Sequence, residues 1–252
     1  MHTTAKSILV LACTTLSFAA AAQTAATPAS TLSFNVGAVS DYRFRGLSQT
    51  SFKPALQAGV DFGHKSGVYI GAWASNIKWI QDYVGATDGV MEVDLYAGFK
   101  KEIAKDLTMD VGFITYQYPG NTTDKVLVNA NTDEVYAALT WGILTAKYSH
   151  STSNFIANPD SKNSRYFELA ANIDLGNGLS LTPRVGRQFI TNQIDNAGDY
   201  TDYGLALGKD FGNGVSASLA AFHTSAKDSF YKANGVDNLG KNGVALGVKY
   251  SF

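Results

Sequence analysis

Asp41, Arg43 and Arg45 stand at every second position of one short segment. A period of two puts all three on the same face of an extended chain. Other alternating segments carry charged or polar groups in the same way: Gln57 with Asp61, Glu92 with Asp94, then Glu134, Glu168 and Arg184. Carboxylates and guanidiniums on one face, with no nucleophile among them, suit electrostatics better than bond making. Facing acids and bases across an aqueous space set up a transverse field. Two readings stand for the arginines. Arg43 and Arg45 select anions or grip a carboxylate, or they pair with Glu92 and Asp94 and brace a wall. Asp110, Asp174, Asp202 and Asp210 add to this face and make it net acidic, which favours cations.

Catalytic alternatives are thin. Beyond His2 the histidines are His64, His150 and His223. Ser149-His150-Ser151-Thr152 puts hydroxyls beside an imidazole, but a triad also needs a carboxylate that orients the base. An outer-membrane lipid hydrolase is the least favoured reading, and no enzyme is expected. No phosphate loop or closely spaced His/Cys set is present, so no cofactor or metal is expected. With 20 basic and 21 acidic residues there is no basic excess for nucleic acid.

The elements that carry these residues read as strands. The 252 residues include 24 glycines, 13 tyrosines and 14 phenylalanines but 5 prolines, a balance that favours strands and turns. A pass for period two yields about twelve segments, near 31–45, 54–63, 67–79, 89–101, 106–118, 133–141, 143–151, 165–175, 178–190, 201–211, 214–225 and 242–252. In the fourth, Met91, Val93, Leu95, Ala97 and Phe99 alternate with Glu92, Asp94, Tyr96, Gly98 and Lys100. In the first, Leu32, Phe34, Val36, Ala38, Tyr42 and Phe44 form the apolar face. Pro183 weakens the ninth, since proline donates nothing to a ladder.

Tight breaks at Gly63–Ser66, Glu102–Lys105, Gly142, Gly176–Asn177 and Gly212–Asn213 alternate with long polar connections such as Pro119–Thr132, Thr152–Ser164 and Lys227–Lys241. This segregation predicts an all-β fold: a single transmembrane antiparallel up-and-down barrel of about twelve strands, over residues 31–252. Its apolar face meets lipid and its charged face lines the lumen. Lumen glycines (Gly37, Gly59, Gly98, Gly112) are expected to widen the bore, and Tyr69, Trp73 and Tyr96 to narrow it. Phe44, Phe62, Trp79, Phe99, Trp141, Phe189, Tyr203, Phe211, Tyr250 and Phe252 fit interfacial girdles. Arg187 falls on the lipid face, either to meet lipopolysaccharide phosphates or because a bulge near Pro183 flips the register.

Lys6, the apolar Ile8–Ala22 stretch and Ala20-Ala21-Ala22 read as a secretory signal peptide over 1–22, cleaved near Ala22. Residues 23–30 then form a flexible periplasmic leader. Cys13 leaves with the signal, so the exported chain is expected to hold no disulfide.

Val39-Ser40-Asp41-Tyr42-Arg43-Phe44-Arg45-Gly46, Pro54-Ala55-Leu56-Gln57, Gly67 to Asn76 and Glu92 to Phe99 resemble the TorF-type family of proteobacterial outer-membrane porins. The resemblance covers most of the exported chain and is strongest in its first third. It implies a single barrel with a pore, and it brings no catalytic residues. It also implies that the aromatic at Phe252 is read by the barrel-assembly machinery. The function expected is passive diffusion of small hydrophilic solutes through a narrow charge-lined lumen. A closed structural or surface-binding barrel acting through its long loops is the alternative.

Overall fold

The computed structural model describes residues 29–252. The expected signal peptide and most of the 23–30 leader lie outside the described residues. The strands are β1 (Ser30–Val39), β2 (Arg43–Phe44), β3 (Leu47–Ser48), β4 (Ala55–His64), β5 (Val68–Asn76), β6 (Met91–Ala104), β7 (Leu107–Gln117), β8 (Thr132–Trp141), β9 (Leu144–Ser151), β10 (Arg165–Ala171), β11 (Ile173–Gly176), β12 (Leu179–Phe189), β13 (Tyr200–Gly212), β14 (Val215–Thr224) and β15 (Gly243–Ser251). All but β2 and β3 belong to one antiparallel sheet, ordered β10-β9-β8-β7-β6-β5-β4-β1-β15-β14-β13-β12-β11. β1 pairs with β15 and β10 with β12, so the sheet closes on itself. β10 and β11 are two halves of one stave, which makes twelve staves.

The seam at β1 and β15 is held by reciprocal backbone bonds, Phe34 N to Phe252 O at 2.8 Å and Phe252 N to Phe34 O at 2.9 Å. Their rings stack at 5.7 Å on the tight-turn rim. Closure leaves no free edge, so every stave satisfies its backbone within the sheet, which a low-dielectric surround demands.

Pro183 does not shift its strand: β12 runs in unbroken register against β13 from Leu179 to Gln188. The break falls in the partner stave instead. Ala171 and Asn172 lie across from Pro183 and Thr182, where the missing N–H interrupts the ladder between β10 and β11. The bulge expected near Pro183 is therefore absent, and Arg187 points outward, donating to Thr201 Oγ1 at 3.1 Å.

Two tight turns are built from one repeated sequence, Asp174-Leu175-Gly176-Asn177-Gly178 and Asp210-Phe211-Gly212-Asn213-Gly214. Asn177 (φ 52) with Gly178 (φ 73), and Asn213 (φ 51) with Gly214 (φ 80), make the paired positive φ angles that fit hairpin twist. Each aspartate caps its turn, accepting from Gly176 N at 2.8 Å and Gly212 N at 2.7 Å. The opposite rim carries the long connections, residues 40–54, 77–90, 118–131, 152–164, 190–199 and 225–242.

Outward side chains are apolar round the whole circumference, with Leu56 73% and Leu246 62% exposed. A soluble barrel would not leave such a continuous belt uncovered; hydrocarbon solvates it. Phe62, Trp141, Tyr203, Phe211, Tyr250 and Phe252 face outward, as expected. Phe44 and Trp79 do not: both are buried inside the long-loop rim, as is Tyr42.

The lumen glycines are not gaps. Gly98 sits opposite Tyr69, Gly71 opposite Tyr96, and Gly112 opposite Tyr136. In each pair the tyrosine ring lies across the glycine, where a Cβ would collide with it. The glycines let these rings lie flat along the wall, so they do not widen the bore as the sequence predicts.

Candidate functional site

The chain leaves the barrel wall at Val39, turns inward, and rejoins it at Ala55. The first strand is thus ten residues long, enough to cross a membrane, and does not continue to residue 45. Beyond that height Tyr42 and Phe44 would meet water. Turned inward they are buried, and a side chain of that size gains about 1.5–3 kcal/mol from full burial. Tyr42 packs edge-on to Trp73 at 5.2 Å and Phe44 to Tyr116 at 5.4 Å.

Within this segment β2 and β3 form a small hairpin, with Arg43 opposite Ser48 and Phe44 opposite Leu47. Its tip is Arg45 (φ 47) and Gly46 (φ 82), a two-residue turn with both φ angles positive. Arginine in that conformation is unusual and strained. The strain is held because the turn aims its side chain across the bore. Arg45 Nη2 donates to Glu134 Oε2 on β8 at 2.6 Å, and Nη1 donates to Gln188 Oε1 on β12 at 2.8 Å. Both walls lie four or five staves from β1, so the guanidinium reaches nearly a diameter. It stacks over Tyr166 at 4.3 Å and Phe44 at 4.7 Å. Tyr116 OH donates to the same Glu134 oxygen at 3.2 Å.

Arg43 ties the base of the hairpin. Its Nε donates to Asp41 Oδ2 at 2.6 Å, and its Nη1 donates to the carbonyls of Gly46 (2.9 Å), Leu239 (3.2 Å) and Lys241 (2.9 Å). Ser48 Oγ donates to the other Asp41 oxygen at 2.6 Å, and Ser48 N to Leu239 O at 2.8 Å. The hairpin is therefore fastened to the last long loop on one side and to the far wall on the other.

Glu92 and Asp94, adjacent inward positions of β6, are buried. Glu92 accepts from Tyr42 OH at 3.2 Å. The expected pairing of Arg43 and Arg45 with Glu92 and Asp94 is not what forms: the arginines take Asp41 and Glu134. Arg184 on β12 meets Asp202 Oδ1 at 2.6 Å and Glu168 Oε2 at 3.3 Å, with Tyr166 OH donating to Asp202 at 2.9 Å. Towards the tight turns Gln57 and Asp61 face inward on β4, and Asp61 accepts from Tyr96 OH at 2.5 Å. Tyr69 OH donates to Asp110 at 2.6 Å and is in contact with Tyr136 OH.

Gln188, Tyr42 and the tyrosines that complete the Arg45 latch were not singled out by the sequence as site residues. One signal was available. A strand over 31–45 is longer than the nine to eleven residues a membrane strand uses, and the run Ser48-Gln49-Thr50-Ser51 after Gly46 marks a turn region.

Above the hairpin the long loops pack on one another. Lys78 N and Trp79 N both donate to Gln49 O, at 2.8 and 3.1 Å, and Trp79 meets Tyr118 edge-on at 5.5 Å. Tyr83 and Tyr231 lie in these loops, where burial pushes their hydroxyls above the ordinary tyrosine range and keeps them neutral. His150 points outward, bonded to Tyr148 OH at 3.0 Å and Asn163 Oδ1 at 3.2 Å. Ser149 and Ser151 project to the other face of the strand. Among the described residues no group of three or more His, Cys, Asp or Glu could hold a metal ion.

A closed twelve-stave antiparallel barrel with an apolar exterior and a polar, ion-paired interior has the porin fold. The KdgM porin matches at a TM-score of 0.55 with 7% identity, covering 87% of this chain and 99% of that one. The NanC porin matches at 0.55 with 13% identity, again over 87% and 99%. The KdgM porin in complex with disordered oligogalacturonate matches at 0.53, with 8% identity over 88% and 99%. At these identities the likeness establishes the fold. No curated protein matches the sequence. The chain belongs to the Gcw_chp family, described as bacterial protein of unknown function, which matches residues 22–252.

Proposed function

We propose that the protein is an outer-membrane channel for small hydrophilic solutes, narrowed by its own inward hairpin. It reaches the membrane by export on a signal peptide over residues 1–22 and acts without catalysis. The observation that carries this reading is the Arg45 crossing of the lumen. A barrel that served only as a scaffold has no use for a strained arginine reaching from the β1 side to β8 and β12 on the far side of a charge-lined bore. The porin fold of the KdgM and NanC neighbours and the TorF-type resemblance of the first third support it. Asp41, Arg43, Arg45, Gln57, Asp61, Glu92, Asp94, Glu134, Glu168 and Arg184 are the residues a solute is expected to meet once the hairpin undocks. Arg45 and Glu134 set the narrowest point, and Arg43 holds the hairpin base. The inward acids favour cations.

Purified protein in planar bilayers is expected to give discrete conductance steps with a mild cation preference. A barrel that stays silent, in wild type and with the Arg45 latch removed, would overturn the channel reading. A second reading rests on the buried apolar layer of Tyr42, Trp79, Ile80 and Phe155 at the long-loop end. Such a layer also suits a closed barrel that works through its outer surface.

A further inference from the structure

Beyond the hairpin, on the long-loop side, all six long connections or their flanking residues converge on a cavity of about 90 Å³. Its walls are mainly aromatic and aliphatic, with Phe44, Phe155, Phe230 and Tyr231 among them. No charged side chain is among its described lining residues.

Two features distinguish this space from a packing defect. First, two of its three tyrosines turn their polar ends elsewhere. Tyr231 OH donates to Gly198 O at 2.5 Å, and Tyr83 OH donates to Phe230 O. With those hydroxyls satisfied, what the two residues offer a guest is ring surface. Asn234 Nδ2 donates to Tyr83 O at 2.8 Å and Leu239 N to Tyr231 O at 3.0 Å, so the loops that carry the rings are fixed to each other.

Second, one wall is strained. Ile156 (φ 44) and Ala157 (φ 55) are consecutive left-handed residues that line the cavity. A β-branched residue in that region is rare. Four hydrogen bonds hold it there. Ile156 N donates to Thr132 Oγ1 at 2.8 Å, Phe155 N to Ser161 Oγ at 2.7 Å, and Asn158 Nδ2 to the carbonyls of Phe155 and Ile156, each at 2.8 Å. Backbone strain kept in place by its surroundings gathers at ligand clamps and switch regions. Concave, largely apolar and pre-formed is also the usual character of small-molecule sites.

We propose that this cavity is a binding site for one compact, uncharged apolar ring, approached from the long-loop side. A charged guest would lose its hydration with no counter-ion in the wall, and a sugar ring would lose more hydrogen bonds than the few polar side chains there, Gln49, Asn158 and Tyr200, return. The site lies above the latch and needs no open lumen, and because Phe44 and Leu47 of its wall belong to the hairpin it is complete in the docked state.

The test uses ¹⁹F NMR on the full exported barrel in lipid nanodiscs, with empty nanodiscs as the control for partitioning into lipid. Three probes each carry one fluorine on a single six-membered ring: fluorobenzene, 4-fluorobenzoate and 2-fluoro-2-deoxyglucose. Fluorobenzene is expected to show a saturable component at one equivalent per barrel, 4-fluorobenzoate to bind at least tenfold more weakly, and the fluorosugar not at all. Ile190→Phe and, independently, Val84→Phe fill the cavity and are expected to abolish the saturable component, each with native gel migration retained. Fluorobenzene behaviour equal to empty nanodiscs would overturn the proposal. So would preference for either other probe, or binding that survives in both filled variants.

Discussion

The Arg45 latch gives the sharpest quantitative expectation. Arg45 and Glu134 are side chains 4% and 1% exposed, joined at 2.6 Å, with Gln188 completing the arginine's bonds. Removing one partner of a buried ion pair leaves the other charge without compensation, at a cost of about 3–5 kcal/mol. In Arg45→Ala that cost falls on the docked state alone, because an undocked hairpin lets water reach Glu134. Taking the lower figure, about 3 kcal/mol, and tenfold for each 1.4 kcal/mol, the docked-to-undocked ratio falls by about 10²-fold. Single-channel recording in planar bilayers reads the ratio as open probability. Wild type is expected to be mostly narrowed, and Arg45→Ala to open about 10²-fold more often. Replacing both partners, Arg45→Met with Glu134→Leu, removes both charges and restores an apolar contact, a change that is often neutral or stabilising. The double variant should return close to wild-type behaviour. The reasoning fails if Arg45→Ala, shown folded by gel migration, has an open probability within threefold of wild type. It fails equally if the double variant is as open as the single one.

Gly46→Ala tests the same latch through the backbone. At φ 82 a side chain costs about 1–2 kcal/mol, and a Cβ would stand 2.7 Å from Thr224 Cγ2 and 2.9 Å from Asp202 Cβ. Trypsin should then cut after Arg43 or Arg45 in the intact barrel, and resistance equal to wild type would count against docking. Gly112→Val puts a side chain where a Cβ would already be 2.5 Å from Tyr136 Oη and 2.7 Å from Ala97 O. Overpacking of this kind costs about 1–3 kcal/mol, so the urea midpoint followed by gel migration should fall; an unchanged midpoint would show that the ring is free to move aside. In the 225–242 loop, Lys241 Nζ at 2.6 Å and the Asn238 N–H at 2.9 Å hold the Asp237 carboxyl below its ordinary range. A carboxyl depressed in the folded state stabilises fully above its unfolded pKa, about 3.9, and loses that contribution as pH falls through the lower folded value. The Asn238 amide shift should accordingly stay flat from pH 8 to 5 and titrate only below about pH 4. A midpoint between pH 5 and 7 would refute the assignment.

The barrel was legible because lipid and lumen impose opposite demands on alternate residues, and that alternation survives in the sequence. Eleven of the twelve expected segments fall within a few residues of their staves, from Ala55–His64 to Gly243–Ser251. The seam between β1 and β15 also follows from alternation and closure. Pro183 was harder to read. Proline's cost lies in a missing donor, and the structure puts the resulting interruption in the neighbouring stave, at Ala171–Asn172, where local sequence carries no mark of it. In the sequence the glycines read as space, because a single chain does not announce which tyrosine will lie across Gly98 or Gly112; that depends on register between strands.

The hairpin was hidden for a deeper reason. Tyr42 and Phe44 continue the period set by Phe34, Val36 and Ala38, so alternation alone assigns them to the same apolar surround. Two different surrounds satisfy that pattern, hydrocarbon outside the wall and a packed stopper inside it. What separates them is height. After ten residues the strand has crossed, and an apolar side chain one turn further on has no lipid left to face. Its remaining option is the lumen, where Trp73 and Tyr116 receive it. The charges on the opposite face then have nowhere to go but across the bore. Arg43 and Arg45 thereby become the fasteners of a plug, with Asp41 and Glu134 as their partners in place of the wall pair at Glu92 and Asp94. Length alone does not separate stopper from wall, since β6 keeps fourteen residues and β13 thirteen in the wall; in this run the polar turn region after Gly46 has to be read together with it.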